Sequence, residues 1–206
     1  MTRPPPLLRH GLVVAATLLL CACQPMGSDD RRAGRTPEFK RNPNPTQAYE
    51  ITALIEHAPG PFEVVKGFAQ YSAPNCTYML DRVAGVPAIP EQTLPVDFAK
   101  ADEGTYVGTV YLDAMLDDDY FGQGVCKWGL TISRIELRAG QSPADSIFVS
   151  WLDKAQIDSG SSVISHLQRR FYPRDATIDS MLVPPMVRDI HVSDHVFRIQ
   201  LVPRRI

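Results

Sequence analysis

Apolar residues recur at every second position through much of this chain, and that period of two is the tightest constraint on what it can fold into. Thr105 to Asp113 sets Tyr106, Gly108, Val110 and Leu112 on one side and Thr105, Val107, Thr109 and Tyr111 on the other. A strand with bulk on both faces belongs inside a sandwich or in a sheet covered twice. Val125 to Arg138 places Cys126, Trp128, Leu130 and Ile132 on one face, after which Ile135 and Leu137 fall on the opposite parity. A bulge near Ser133 or Arg134 restores them to the same face. Ser146 to Leu152 alternates through Ile147, Val149 and Trp151, and Ile190 to Val202 lines up Phe197, Ile199 and Leu201, with Ser193-Asp194 as a turn that makes a hairpin of that stretch.

Other segments follow different rules. Ala48 to His57 carries Ala48, Ile51, Leu54 and Ile55 at helical spacing, stopped by Pro59-Gly60-Pro61, and reads as a short helix. Phe62 to Tyr71 and Cys76 to Leu80 read as strands, and Val86 to Pro95 as a proline-rich bend. Gly160 to Tyr172 fits a helix or an extended segment equally. No internal repeat is visible. The expected fold is mainly β: an antiparallel β-sandwich, with a β-barrel as the nearest alternative, plus one or two short helices.

At 206 residues with 44% hydrophobic content, the chain can bury a single sizeable core, and residues 47–206 are expected to form one globular domain. A formal charge of -2 lacks the polycationic footprint by which proteins displace counterions from nucleic acid. Nucleic acid is therefore not an expected partner.

The N-terminus is built differently. Arg3 and Arg9 precede an apolar and small-residue run from Gly11 to Ala22, which is the plan of a signal peptide and is shorter than the roughly 20 residues that span a bilayer. Leu20-Cys21-Ala22-Cys23 resembles the bacterial lipobox, with an apolar residue at minus three, a small one at minus one and then the modified cysteine. Cys21 fits that pattern worse, because Leu20 stands where a small residue is needed. The resemblance implies a lipoprotein: residues 1–22 are removed as signal peptide, and Cys23 is the lipidation site, carrying a diacylglyceryl thioether and an amino-terminal acyl chain. Several chains make attachment effectively stable, since each buried methylene contributes about 0.8 kcal/mol. In such lipoproteins an aspartate after the cysteine favours the inner membrane; Gln24 stands there instead, which implies the outer membrane, facing the periplasm. Residues 23–46, with Pro25, Pro37, Pro43 and Pro45 among polar residues, read as a flexible tether. Loss of Arg3 and Arg9 leaves 21 - 2 = 19 basic against 23 acidic residues, formally -4.

On that reading Cys21 leaves with the signal and Cys23 is consumed by lipid, so Cys76 and Cys126 remain. In an oxidising compartment they are expected to form a disulfide. A metal-binding or reactive thiol pair lacks any supporting Cys-x-x-Cys or histidine cluster.

The most unusual segment runs from Leu112 to Trp128, where Asp113, Asp117, Asp118 and Asp119 precede Tyr120-Phe121-Gly122-Gln123-Gly124. Four carboxylates could hold calcium, but their spacing is wrong for the helix-loop-helix calcium motif, and a solvated acidic loop is the preferred account. Asp117, Asp118, Asp119, Tyr120 and Phe121 are the candidate partner-binding residues, because acids steer a partner and aromatics anchor it. His191 and His195 share a face if extended, yet lack a third ligand for zinc. Ser159 to Ser162 lacks the Gly-x-Ser-x-Gly elbow of serine hydrolases. Trp128 and Trp151 alternate into strands and suit core packing better than a ligand groove. No catalytic residue, metal or cofactor is assigned, and the chain is not expected to be an enzyme.

Asn75-Cys76-x-Tyr78, Tyr106-x-Gly108-x-x-Tyr111-x-Asp113 and Asp119-Tyr120-Phe121-Gly122-x-Gly124-Val125-Cys126-x-Trp128 are similar to small lipoproteins encoded beside toxic effectors of contact-dependent secretion systems. That resemblance spans roughly residues 75 to 140 and implies an immunity protein: a membrane-anchored periplasmic binder that neutralises a secreted toxic effector, a lipase or wall hydrolase. The alternative is an envelope maintenance or assembly lipoprotein without catalytic activity.

Overall fold

A computed structural model describes residues 37–81, 84–174 and 195–206. Eleven strands are defined: β1 (Ala48–Glu56), β2 (Val64–Ser72), β3 (Tyr78–Asp81), β4 (Val86–Ala88), β5 (Glu91–Val96), β6 (Phe98–Asp102), β7 (Thr105–Tyr111), β8 (Gly129–Arg138), β9 (Phe148–Asp153), β10 (Val163–Gln168) and β11 (Val196–Arg205). A single turn-and-a-half helix, α1 (Lys154–Ser159), joins β9 to β10. The strands make a five-stranded sheet in the order β10-β11-β1-β7-β6, a four-stranded sheet in the order β5-β2-β8-β9, and a separate two-stranded ribbon β3-β4. Every pairing is antiparallel. Each large sheet keeps two edges, so the architecture is a sandwich and not a closed barrel.

The inner faces supply the core. Tyr49, Ile51 and Ala53 of β1, Val110 of β7, Leu167 of β10, and Phe197, Ile199 and Leu201 of β11 are buried against Ala69 and Tyr71 of β2, Leu130, Ile135 and Leu137 of β8, and Phe148 and Leu152 of β9. Phe148 and Phe197 meet edge to face across the interface with ring centroids 5.1 Å apart, and Phe62 leans on both at 5.7 and 5.9 Å. Such geometry suits the ring quadrupoles and adds to the area they bury.

Several local readings change. Ala48–Glu56 is the central strand β1, not a helix: Tyr49, Ile51 and Ala53 alternate into the core, and β1 pairs with β11 on one side and β7 on the other. Val86 to Pro95 contains two strands, because β5 is an edge strand and tolerates the missing N–H of Pro95 there. The bulge in β8 exists but lies earlier than expected. Gln70 faces Ile132 while Tyr71 faces Leu130, leaving Thr131 as the extra residue. Leu130, Ser133, Ile135 and Leu137 then all point inward. The segment Gly160 to Tyr172 resolves as extended β10 followed by a 3-10 turn at Arg169–Phe171. The turn expected at Ser193-Asp194 and residues 1–36 lie outside the described residues.

The polar segment before β1 is also revised. From Phe39 onward it is held on the domain and does not hang free. Arg41 bridges Met115, Asn42 N–H donates to the Ala114 carbonyl at 2.8 Å, and Leu116 N–H donates to the Lys40 carbonyl at 2.9 Å. The Asp113 carboxylate accepts from the N–H groups of Thr46 and Gln47, at 2.9 and 3.0 Å for the shorter contact of each. Composition alone assigns these residues to a tether; their backbone groups find partners that composition does not reveal.

Candidate functional site

The disulfide end of the sandwich gathers the residues that the sequence singles out. Cys76 and Cys126 are bonded, with Cα atoms 5.5 Å apart, and tie the turn that follows β2 to the loop that leads into β8. Asn75 doubles the link, its side chain donating to the Val125 carbonyl at 2.9 Å and accepting from Lys127 N–H at 2.8 Å. Ala73, Cys76 and Cys126 form a second small core, against which Tyr120, Phe121 and Trp128 pack.

Each acid of the loop has local work. Asp117 accepts from Trp128 N–H at 2.8 Å and pairs with Lys127 at 3.0 Å. Asp118 pairs with Lys40 at 2.7 Å and accepts from Asp119 N–H at 2.9 Å. The hydrogen bond from the Lys40 ammonium holds the Asp118 carboxyl below the usual carboxylate range and raises the lysine in turn. Asp119 accepts from Gln123 N–H at 3.0 Å and Phe121 N–H at 3.3 Å, closing the turn that the left-handed Gly122 permits. Asp113 is separate from this group, engaged with Thr46 and Gln47. The carboxylates are therefore fastened to backbone and lysine, and among the described residues no three His, Cys, Asp or Glu side chains converge on a metal site.

The aromatic side chains turn inward. Phe39 seats its ring between Trp128 at 4.9 Å, Tyr120 at 5.3 Å and Phe121 at 6.3 Å. The Tyr120 hydroxyl donates to the Leu116 carbonyl at 2.7 Å and accepts from Lys40 N–H at 3.2 Å. Phe121 stacks nearly parallel on Tyr78, the first residue of β3, at 5.5 Å. Tyr120 and Phe121 are thus only partly accessible, and Asp117 and Asp119 are the exposed members of the loop. Trp128 sits beside the disulfide as packing, as its spacing from Cys126 implies. Trp151, by contrast, points outward from β9 at 38% exposure.

One feature of this end escapes a reading based on charge. The ribbon β3-β4 carries Met79, Leu80 and Val86 in the open, at 48, 64 and 43% exposure, with Ile89 and Val125 close in sequence to it and to the disulfide. Its signal was present in the sequence as Tyr78-Met79-Leu80 and Val86-Pro87-Ala88-Ile89, hidden by the prolines.

A cleft of about 450 Å³ opens between β5 and β7, with Arg41, Tyr71, Leu94, Val96 and Val110 among the residues that line it. Tyr71 donates its hydroxyl to the Tyr111 carbonyl at 2.7 Å, and burial, reinforced by the Asp113 charge, pushes that hydroxyl far above its ordinary range. It serves as a structural donor between β2 and β7. Ser159 and Ser161 bond each other on the surface after α1, and His195 is exposed at the start of β11; His191 lies outside the described residues. No helix among the described residues is long and apolar enough to cross a membrane. Comparison with protein-family models, curated proteins and solved structures finds no match to this chain.

Proposed function

We propose that the chain is a lipoprotein, acylated at Cys23 and held on the periplasmic side of the outer membrane, that binds and neutralises a secreted toxic effector. The observation that carries this reading is the pre-ordered acidic loop. Asp117, Asp118 and Asp119 are locked by backbone hydrogen bonds and by Lys127 and Lys40 on a base braced by the Cys76–Cys126 bridge. A surface already rigid before its partner arrives avoids the ordering cost that loops otherwise meet on binding. The exposed carboxylate of Asp119, which has no ion pair among the described residues, supplies directional steering toward a basic partner surface. The role is that of a binder: the loop's polar groups are spent on holding its own shape.

The test is protection. A secreted hydrolase encoded beside this chain is expressed in the periplasm of a host, with and without the full-length chain. Co-expression is expected to restore growth, and Asp119→Asn, which keeps the turn acceptor and removes the charge, slows association several-fold. A neighbouring effector that neither binds the chain nor is silenced by it defeats the proposal.

A further inference from the structure

We propose that the β3-β4 ribbon is a second membrane contact, resting its apolar side chains in the lipid interface beside the point where the anchored segment enters the domain. The inference rests on the lipid-anchor part of the proposed function and adds an orientation to it.

Three observations lead there. First, consecutive residues are exposed on both strands of the ribbon, Met79 with Leu80 and Val86 with Pro87. Beyond Tyr78, which stacks on Phe121, the ribbon leaves Met79, Leu80 and Val86 as an apolar cluster open to its surroundings, which a lipid interface can take up. Second, the anchored segment arrives at this same end. Phe39 lies against Phe121, and Phe121 stacks on Tyr78 of β3, so two ring contacts connect the incoming chain to the ribbon. Pro37 is only 37 - 23 = 14 residues past Cys23, a length that spans at most about 50 Å when fully drawn out. Third, the two lysines described at this end are each paired, Lys40 with Asp118 and Lys127 with Asp117. The contact is accordingly driven by apolar burial and not by attraction to anionic headgroups.

The experiment uses the full-length lipidated protein in phosphatidylcholine vesicles containing lipids brominated along the acyl chain. Tryptophan replaces Leu80 (L80W) or, for comparison, Ile164 (I164W), which is exposed on the edge strand β10. L80W emission is expected to shift to the blue and to be quenched at least twofold beyond the native protein, with I164W unchanged. In the full chain carrying Cys23→Ser, residual flotation with the same vesicles is expected to fall about tenfold in the variant Met79→Ser, Leu80→Ser, Val86→Ser. That loss is to be equal on phosphatidylglycerol and unaffected by salt. Quenching at both tryptophans or at neither, in protein that floats with the vesicles, overturns the ribbon contact and leaves the anchor standing. An unmodified mass at Cys23 overturns the anchor reading and the contact with it. Native self-association abolished by the triple serine variant assigns the ribbon to a second copy and overturns the proposal as well.

Discussion

The hydroxyls of Ser150 and Ser165 lie 2.8 Å apart in the buried interface, one on each sheet, and form a polar stitch between edge strands β9 and β10. Each is almost wholly excluded from solvent. Removing one leaves the other without its partner, so Ser150→Ala and Ser165→Ala should each cost about 1–2 kcal/mol, and the double variant less than their sum. Urea unfolding of the three proteins measures this directly.

Ser133 gives the opposite expectation for the same exchange. The Thr131 bulge turns it into the core, where its hydroxyl has no hydrogen-bond partner among the described residues. Ser133→Ala should leave stability unchanged or raise it by up to about 1 kcal/mol, because it deletes a buried polar group that nothing satisfies. A lower urea midpoint in this variant would contradict the buried placement.

The Cys76–Cys126 bridge closes a loop of 50 residues. Limiting the unfolded chain to that extent contributes about 4 kcal/mol in the entropic account. Replacing both cysteines by alanine should lower stability by about 2–5 kcal/mol, and limited proteolysis should find its first new cuts between Asp117 and Val125.

Asp113 should make the protein sensitive to acid. Partial burial works against its charge, but the hydrogen bonds from Thr46 and Gln47 outweigh this and bring its carboxyl below the ordinary value of 3.8. A depressed carboxylate contributes stability that is complete above its unfolded value and disappears as pH falls through its folded one. Stability should therefore hold from neutrality to about pH 5 and decline below about pH 4. Asp113→Ala should cost about 1–2 kcal/mol at neutral pH and flatten that decline, as thermal unfolding across pH would record.

Gly104 turns β6 into β7 with φ at +66°, and a Cβ there would stand 2.6 Å from the Ile55 carbonyl oxygen. Gly104→Ala should destabilise by more than about 1 kcal/mol, since it combines a disfavoured backbone with a clash that backbone must relieve. Circular dichroism during thermal unfolding is sufficient to see it.

Where one face of a strand is buried and the other wet, the letters were legible: β7, β8 and β11 follow their alternation closely, and the need for a bulge in β8 was visible from the parity change before Ile135. By contrast, β9 was found as a strand with its faces exchanged, since Phe148, Ser150 and Leu152 are the buried set and Ile147, Val149 and Trp151 are not. The strand β1 was misread because Ile51 and Ile55 satisfy a period of two and a helical spacing of four alike, while Ala53, small and uninformative, holds the position between them. β6 shows almost no buried residue and so carries no pattern to find. The helix α1 did leave a signal, the Asp153-x-x-Gln156 capping box with Gly160 at its far end, in a segment too short for periodicity. At the candidate site the acids, the aromatics and the cysteine pair could be named from sequence. That Phe39 would reach across to roof over Tyr120 and Trp128 could not, since such contacts span some eighty residues and depend on the assembled sheets.

The docking of Phe39 to Thr46 on the domain decides where a mechanical load would go. A pull on the N-terminal segment reaches the ring nest at Phe39 and the short backbone ladder of Lys40 and Asn42 with Ala114 and Leu116 before it arrives at β1. Because β1 is interior, with β11 and β7 on its flanks, that outer ladder acts as a strain relief: it yields first and spares the strand on which the five-stranded sheet is built.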